Sequence, residues 1–327
     1  MKKKVLVTRR IPKAGVEILE QRYDVLVNDG ETPLKKKALI KRASDCDGLL
    51  TLLTDRIDAE VIDSLPGLRG IANYAVGFDN IDITAATRRG IAVSNTPGVL
   101  TDATADLAMA LVFAAGRRIA EADAFTRSGR WKGWGPTQFL GADIYGATIG
   151  IVGMGNIGRA VARRAHGLGM KIVYQNEERV KEIERELKAK YLPLDELLSS
   201  ADFVTLHVPL TDETEHLIGE RELKKMKKTA HLINTSRGKV VEEAALVSAL
   251  KKGEIAGAGL DVFENEPEIN RGLLKLKNAV ILPHIGSATR TARTKMATMA
   301  AENLTAMLEG GKIPNLVNPE YKKNIKQ

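Results

Sequence analysis

The sequence predicts an α/β protein made of two doubly wound parallel-sheet domains. Two observations lead to this class. Short apolar runs alternate with segments of helical periodicity along nearly the whole chain, which favours parallel strands joined by right-handed crossovers. The chain also has 327 residues, which is more than one compact core usually holds. We therefore expect one domain to comprise residues 1–99 plus 288–327, and the other to comprise residues 100–287.

The first domain is expected to contain strands separated by short helices. The strands are predicted at residues 5–8, 23–27, 48–53, 68–74 and 91–94. Helical patterns fall at residues 14–21, 35–43 and 59–65. Two longer helices are predicted at residues 102–118 and 288–308, and the second ends before the pair Gly310-Gly311.

The second domain repeats the alternation and opens with a glycine fingerprint. Its strands are predicted at residues 148–152, 170–174, 203–208, 231–234, 258–262 and 280–282. The motif Gly153-Met154-Gly155-Asn156-Ile157-Gly158 follows the first of these strands and begins a helix. Its first glycine permits a tight turn, its second lets a phosphate approach the backbone, and its third lets the helix pack on the strand. The motif predicts that a dinucleotide binds at this helix N-terminus.

The glycine motif also distinguishes the roles of the two domains. The turn after the first predicted strand of the chain, residues 8–12, contains no glycine that would let a pyrophosphate approach the backbone. We therefore expect a flavodoxin-like substrate domain formed by the two ends of the chain. The segment between them is expected to be a Rossmann-type NAD(P)-binding domain.

The residues after the second strand of that domain bear on the choice of cofactor. This position usually holds an acid that binds the ribose of NAD, but here Gln175 and Asn176 stand at the strand end. Glu177 and Glu178 follow slightly later and oppose a 2′-phosphate, and Arg179 is the first basic residue. Gln175 and Asn176 can hydrogen-bond to the ribose of either cofactor. The sequence favours NAD as the cofactor and leaves NADP possible.

Three polar residues follow successive predicted strands of the second domain. Arg237 follows the strand at 231–234, Glu266 follows the strand at 258–262, and His284 follows the strand at 280–282. If these strands are parallel, the three side chains emerge at one edge of the sheet, where such sheets bind ligands. An arginine offers a planar fork for a carboxylate, and a histidine beside a carboxylate can exchange a proton near neutral pH. The three residues are therefore the candidate catalytic group.

Composition argues against several other classes of protein. The longest apolar stretch, residues 107–116, is far shorter than the roughly 18–20 residues of a membrane span, and the N-terminus does not resemble a signal peptide. The single cysteine, Cys46, excludes an internal disulfide framework and fits a reducing cytoplasm. Although the net charge is +8, basic and acidic residues are interleaved and aromatic residues make up only 4%, so no nucleic-acid partner is expected.

The remaining histidines do not suggest a metal site. They show no ligand spacing, and a structural role is expected for each of them: His166, His207, His216 and His231. No metal ion is therefore expected.

Taken together, the motifs resemble the D-isomer-specific 2-hydroxyacid dehydrogenase family, and in particular its glyoxylate/hydroxypyruvate reductase branch. The resemblance covers nearly the whole chain and rests on residues 73–80, 101–106, 153–158, 236–238, 259–263 and 283–288. It implies that Arg237 binds a 2-keto acid, that His284 is the general acid/base, and that Glu266 is its partner. It also implies that the backbone amides of Val76 and Gly77 hold the substrate carboxylate.

The same resemblance implies further cofactor contacts and an oligomeric state. Asp261 is expected near the nicotinamide carboxamide, and the other expected contacts are Thr235, Ser236, Arg237, His284 and Gly286. Members of the family are usually homodimers joined through their nucleotide domains. The loop at residues 131–136 resembles the one that reaches toward the partner's active site.

The expected reaction is the reduction of glyoxylate or hydroxypyruvate with NAD(P)H, and three alternatives stay open. A phosphoglycerate dehydrogenase is disfavoured because the sequence ends at Gln327 without room for a regulatory domain. A phosphite dehydrogenase is disfavoured because Val76 stands where those relatives carry a lysine. A non-enzymatic NAD-sensing corepressor would not need the His284 proton donor.

Overall fold

The computed structural model describes residues 2–324 and confirms the predicted fold class, because it contains two sheets whose paired strands are all parallel. The chain divides into two compact units. Unit 1 comprises Met1–Leu100 with Ser287–Gln327, and unit 2 comprises Thr101–Gly286. No helix within residues 2–324 is long and apolar enough to cross a membrane.

The sheet of unit 1 has five strands in the order β2-β1-β3-β4-β5. The strands are β1 Lys4–Val7, β2 Asp24–Val27, β3 Gly48–Leu52, β4 Gly70–Tyr74 and β5 Ala92–Ser94. The helices that connect them are α1 Lys13–Glu20, α2 Lys36–Ala43, α3 Ala59–Asp63 and α4 Ile83–Arg88. Aspartate side chains cap two of these helices, because Asp58 accepts from the N–H of Val61 and Asp82 accepts from that of Ala85.

Unit 2 begins with two helices, α5 Thr101–Gly116 and α6 Ile119–Arg127. The sequence predicted one helix over residues 102–118, whereas in the structure the left-handed backbone of Arg118, with φ 54°, separates two helices. The remaining helices are α7 Asn156–Gly167, α8 Lys181–Leu187, α9 Leu194–Ser200, α10 Glu220–Lys225 and α11 Glu243–Lys252.

The sheet of unit 2 has seven strands in the order β12-β11-β10-β9-β6-β7-β8. They are β6 Thr148–Val152, β7 Lys171–Gln175, β8 Lys190–Tyr191, β9 Phe203–Leu206, β10 His231–Asn234, β11 Gly257–Leu260 and β12 Ala279–Ile281. The sequence did not predict β8. The chain adds strands β7 and β8 on one side of β6 and strands β9 to β12 on the other side. Such sheets bind ligands at this switch point, between β6 and β9.

The last long helix, α12 Arg290–Glu309, belongs to unit 1. Thr289 caps its start by accepting from the N–H of Ala292, and Gly310 ends it in a left-handed conformation with φ 73°. Gly15 allows α1 to approach α12 closely, because a Cβ at this position would lie only 2.6 Å from the carbonyl oxygen of Ala297. Both chain termini therefore contribute to one core.

Candidate active site

The strands of unit 2 end in one row across the sheet. In-register pairs join neighbouring strands through Ile281, Leu260, Asn234, Leu206, Val152 and Gln175. Every one of these residues lies at the carboxyl end of its strand. The loops that follow therefore all emerge at the same edge of the sheet, and the predicted site residues of this unit lie at the strand ends, in these loops or in the first turn of α7.

The glycine turn after β6 leaves space for a ligand. Gly153 has φ 94°, and a Cβ on it would lie 2.6 Å from the carbonyl oxygen of His207. A Cβ on Gly158 would lie 2.0 Å from the carbonyl oxygen of Gly153. Gly155 is different, because no atom of residues 2–324 beyond its chain neighbours lies within 4 Å of the Cβ position. Folding itself thus requires glycine at the first and third positions, whereas the packing of the described residues does not require it at the second.

Asn176 connects the end of β7 to the glycine turn. Its Oδ1 accepts from the N–H of Met154 at 2.9 Å, and its Nδ2 donates to the carbonyl oxygen of Glu178 at 3.0 Å. The amide of Asn176 is therefore engaged within the protein. The predicted ribose contacts of Gln175, Asn176 and Glu177 stay predictions.

Asn234 folds the turn that carries Thr235, Ser236 and Arg237. Its Oδ1 accepts from the N–H and Oγ of Ser236 at 3.0 and 2.8 Å, and its Nδ2 donates to the carbonyl oxygen of Arg237 at 2.9 Å. The sequence predicts Asn234 only as the end of a strand. An asparagine before Thr-Ser is a typical turn signal and could have identified this role.

Two features of this edge fit a dinucleotide. Thr235 is 8% exposed, and its Oγ1 has no hydrogen-bond partner among the described residues, although a buried hydroxyl normally has one. The open space at Gly155 lies beside the N-terminus of α7, where an anion is favoured. The residues that would hold the cofactor are therefore the glycine turn and the turn at Thr235.

His284 and Glu266 form the predicted pair. The Nδ1 of His284 lies 2.8 Å from Oε2 of Glu266, and the other carboxylate oxygen accepts from the N–H of Phe263 at 3.0 Å. Both side chains are one-quarter exposed. Because Nδ1 is engaged with Glu266, Nε2 is the nitrogen of His284 that can face a substrate.

The backbone around His284 is held by Asp261. His284 has a left-handed backbone with φ 53°, which is uncommon for a residue other than glycine. Its N–H donates to the carbonyl oxygen of Asp261 at 2.9 Å, and the Asp261 carboxylate accepts from the N–H groups of Ile285 and Gly286, each at 2.7 Å. Asp261 is 1% exposed, and burial raises the pKa of its carboxyl group. The predicted contact of Asp261 with the nicotinamide carboxamide stays a prediction.

Arg237 is brought close to the pair by a tight backbone contact. A Cβ on Gly238 would lie 1.8 Å from the carbonyl carbon of Phe263, so the loop after Arg237 contacts the loop before Glu266. Burial opposes ionisation of Glu266, but the hydrogen bond and charge of His284, the N–H of Phe263 and the charge of Arg237 together lower the pKa of Glu266. The structure therefore brings Arg237, Glu266 and His284 together.

The predicted substrate loop lies in unit 1, directly after β4. Asn95 donates to the carbonyl oxygen of Val76 at 2.7 Å, and Asn73 donates to that of Gly77 at 2.9 Å. Asn73 is fully buried. The loop is thus fixed through its carbonyl groups. The role of its amides in binding a carboxylate stays a prediction.

The other titratable candidates have structural surroundings. Burial lowers the pKa of His207 to about 3 and that of His231 to about 4, whereas His216 lies 2.9 Å from Glu264. Burial raises the pKa of the Cys46 thiol to about 11, so this thiol is protonated at neutral pH. Within residues 2–324 there is no group of three or more side chains that could hold a metal ion.

Comparisons with known proteins place the chain in a family. The family model "D-isomer specific 2-hydroxyacid dehydrogenase, NAD binding domain" matches residues 109–286. The glyoxylate reductase of Korarchaeum cryptofilum is 56% identical over 325 residues, which cover 99% of this chain and 98% of that protein. The glyoxylate reductase of Thermococcus gammatolerans is 56% identical over 327 residues, with coverages of 99% and 98%.

A solved structure agrees with these relatives. The NADPH-dependent glyoxylate/hydroxypyruvate reductase of Sinorhizobium meliloti, in complex with NADP and malonate, is 33% identical, has a TM-score of 0.88 and covers 98% of each chain. The chain therefore belongs to the D-isomer-specific 2-hydroxyacid dehydrogenase family.

Proposed function

We propose that this protein reduces glyoxylate, and the related hydroxypyruvate, to the corresponding 2-hydroxy acids with NAD(P)H. The observation that carries the proposal is the His284–Glu266 pair beside Arg237, at the sheet edge that also bears the glycine turn. The identities with glyoxylate reductases over almost the full chain support this choice of substrate.

The proposed chemistry divides between three side chains of unit 2. When bound, the reduced nicotinamide supplies a hydride to C2 of the keto acid. The Nε2 of His284 donates the proton to the carbonyl oxygen, which becomes the hydroxyl group of the product. Glu266 stabilises the imidazolium before the transfer and orients the ring through Nδ1. The guanidinium group of Arg237 binds the polar end of the substrate and stabilises the charge that develops on oxygen.

The proposal is tested by loss of NADH absorbance when glyoxylate or hydroxypyruvate is added, with a phosphorylated 2-keto acid as comparison. A matched pair of variants isolates the catalytic histidine. His284→Asn and His216→Asn both replace a histidine with a left-handed backbone beside a glutamate, and asparagine tolerates that backbone. The first variant should lower kcat by about 10²- to 10⁴-fold, the range for a lost general acid.

His216→Asn should keep wild-type turnover, because His216 is outside the proposed catalytic group. Wild-type turnover in the His284 variant would disprove the assignment of the proton donor. Cofactor binding without turnover of any keto acid would instead favour the corepressor alternative.

We also propose that NADH is the preferred cofactor. Glu177 and Glu178 are exposed after the end of β7 and repel a 2′-phosphate. Arg179, the first basic residue after the strand, forms an ion pair with Glu184. A ratio of kcat/KM values that clearly favours NADPH in the wild-type protein would contradict this preference.

We further propose that the protein is a cytoplasmic homodimer joined through unit 2. Large apolar side chains are exposed in one segment of this unit: Ile119, Trp131, Trp134, Leu140 and Tyr145. Trp134, for example, is 85% exposed, and a second copy of the chain would bury such groups. Light scattering during size-exclusion chromatography should give twice the chain mass. A cytoplasmic location fits the free, buried thiol of Cys46.

A further inference from the structure

The segment after β7 contains one cation close to the expected ribose site. In this fold the residues at the end of the second strand distinguish a ribose hydroxyl from a 2′-phosphate, and an arginine there commonly accommodates the phosphate. The strand ends at Gln175, and Arg179 is the first basic residue after it. The state of Arg179 therefore bears directly on the choice between NADH and NADPH.

Arg179 forms a two-pronged ion pair with Glu184 on α8. Its Nε donates to Oε1 of Glu184 at 3.0 Å, and its Nη2 donates to Oε2 at 2.7 Å. The guanidinium group also lies over the ring of Tyr191, 5.9 Å from the centroid. This ion pair occupies the two guanidinium N–H donors that could otherwise bind a phosphate together.

A hydrogen bond from the buried Tyr174 also fixes the position of Glu184. The Tyr174 side chain is fully buried, and its hydroxyl donates to Oε1 of Glu184 at 2.7 Å while it accepts from the N–H of Val180 at 2.7 Å. The hydrogen bonds from Arg179 and Tyr174 lower the pKa of Glu184 to about 2, so this carboxylate is ionised at neutral pH. Glu184 therefore keeps its position and its charge, and Arg179 can leave only by giving up an ion pair.

We propose that Glu184 determines cofactor selectivity by holding Arg179 in this ion pair, so that the arginine does not neutralise the 2′-phosphate of NADPH. The inference rests on the proposed NADH preference and gives it a cause. The acids Glu177 and Glu178 precede Arg179 and are exposed, so a phosphate at this rim meets negative charge while the guanidinium group of Arg179 is engaged by Glu184. Glu184 is thus a positioning residue that acts through Arg179.

The same helix provides a matched control. Glu186 of α8 forms an equivalent two-pronged pair with Arg163 of α7, at 2.8 and 3.0 Å. Arg163 belongs to α7 and not to the segment that follows β7. Glu184→Gln and Glu186→Gln therefore each remove one carboxylate charge from an arginine pair on α8, but only the first releases Arg179.

The test measures the dissociation constants of NADH and NADPH for the full-length protein by titration calorimetry, without substrate. Glu184→Gln should lower the ratio of Kd for NADPH to Kd for NADH by about five- to twentyfold, the gain expected from one new ion pair. Glu186→Gln should leave the ratio unchanged. Adding Arg179→Ala to Glu184→Gln should restore the wild-type ratio, whereas Arg179→Ala alone should change it little.

Several results would overturn the inference. They are an unchanged ratio in a folded Glu184→Gln protein, an equal shift in the Glu186 variant, or a shift that persists without Arg179. A wild-type protein that binds NADPH tightly and loses this in Arg179→Ala would show that the arginine already holds the phosphate. Because binding is measured without turnover, a failure here is distinguishable from failure to reduce glyoxylate.

Discussion

Replacing Gly155 with alanine should weaken cofactor binding while leaving the stability of the fold nearly unchanged. Gly155 has φ −72° and ψ −162°, which alanine also adopts, and no atom of residues 2–324 beyond its chain neighbours lies within 4 Å of the new methyl group. The free energy of unfolding should therefore change by less than about 1 kcal/mol, with alanine slightly favoured through the unfolded chain.

The effect on cofactor binding should be much larger. If the pyrophosphate packs against the bare backbone at Gly155, the added methyl group overpacks the contact and costs about 1–3 kcal/mol of binding free energy. This corresponds to a dissociation constant for NADH that is about 5- to 150-fold weaker. Titration calorimetry gives the constant, and thermal unfolding followed by circular dichroism gives the stability.

Gly158→Ala is the matched control at the third glycine of the motif. Its Cβ would lie 2.0 Å from the carbonyl oxygen of Gly153, so the backbone must move before the variant can fold. We expect this variant to lose stability as well as affinity. Wild-type affinity for NADH in a folded Gly155→Ala protein would refute the reasoning, and so would a loss of stability as large as that of Gly158→Ala.

Three further variants test the residues in the loops that follow β10, β11 and β12. Arg237→Lys should raise KM for glyoxylate sharply and lower kcat, because an ammonium group lacks the bidentate fork; unchanged steady-state kinetics would place Arg237 outside the substrate site. Glu266→Gln should keep substantial activity but lower kcat, because a neutral amide makes a weaker hydrogen bond to Nδ1 of His284 and orients the ring less firmly; wild-type kcat would show that Glu266 does not position the histidine. Asp261→Asn should lower kcat on the order of 10- to 100-fold through misplacement of His284. The free energy of unfolding of this variant should fall by about 1–3 kcal/mol, because the asparagine NH2 group leaves one of the two backbone N–H groups without an acceptor; the same loss of stability with wild-type kcat would contradict the positioning role.

Much of the fold could be predicted because its signals are local. Buried parallel strands such as β1 and β6 are rich in apolar residues, and the structure has strands at both predicted places. Strand β8 has only two residues and is too short for a periodic pattern. Helix α6 was not predicted as a separate helix, and it has no buried residues.

Residues of the candidate site could be predicted from the sequence only where they follow the end of a predicted strand. Arg237 and His284 could be assigned to one edge because each follows a predicted strand by a few residues. The functions of Asn234 and Asp261 were less accessible, since they depend on which backbone N–H groups their side chains reach. The pair Arg179–Glu184 was missed for a related reason, because the turn between β7 and α8 determines whether the two side chains meet.

The discontinuity of unit 1 has a consequence for synthesis of the chain. Helix α12 contributes Ala297, Ala300 and Leu304 to a core shared with β1, β3 and β4, so these early strands lack part of their apolar cover until α12 has been synthesised. Unit 2 is one continuous segment that is complete at Gly286. Domains generally fold as units during synthesis. We therefore expect unit 2 to fold before unit 1, although its residues are synthesised after the N-terminal strands, because unit 1 also needs α12.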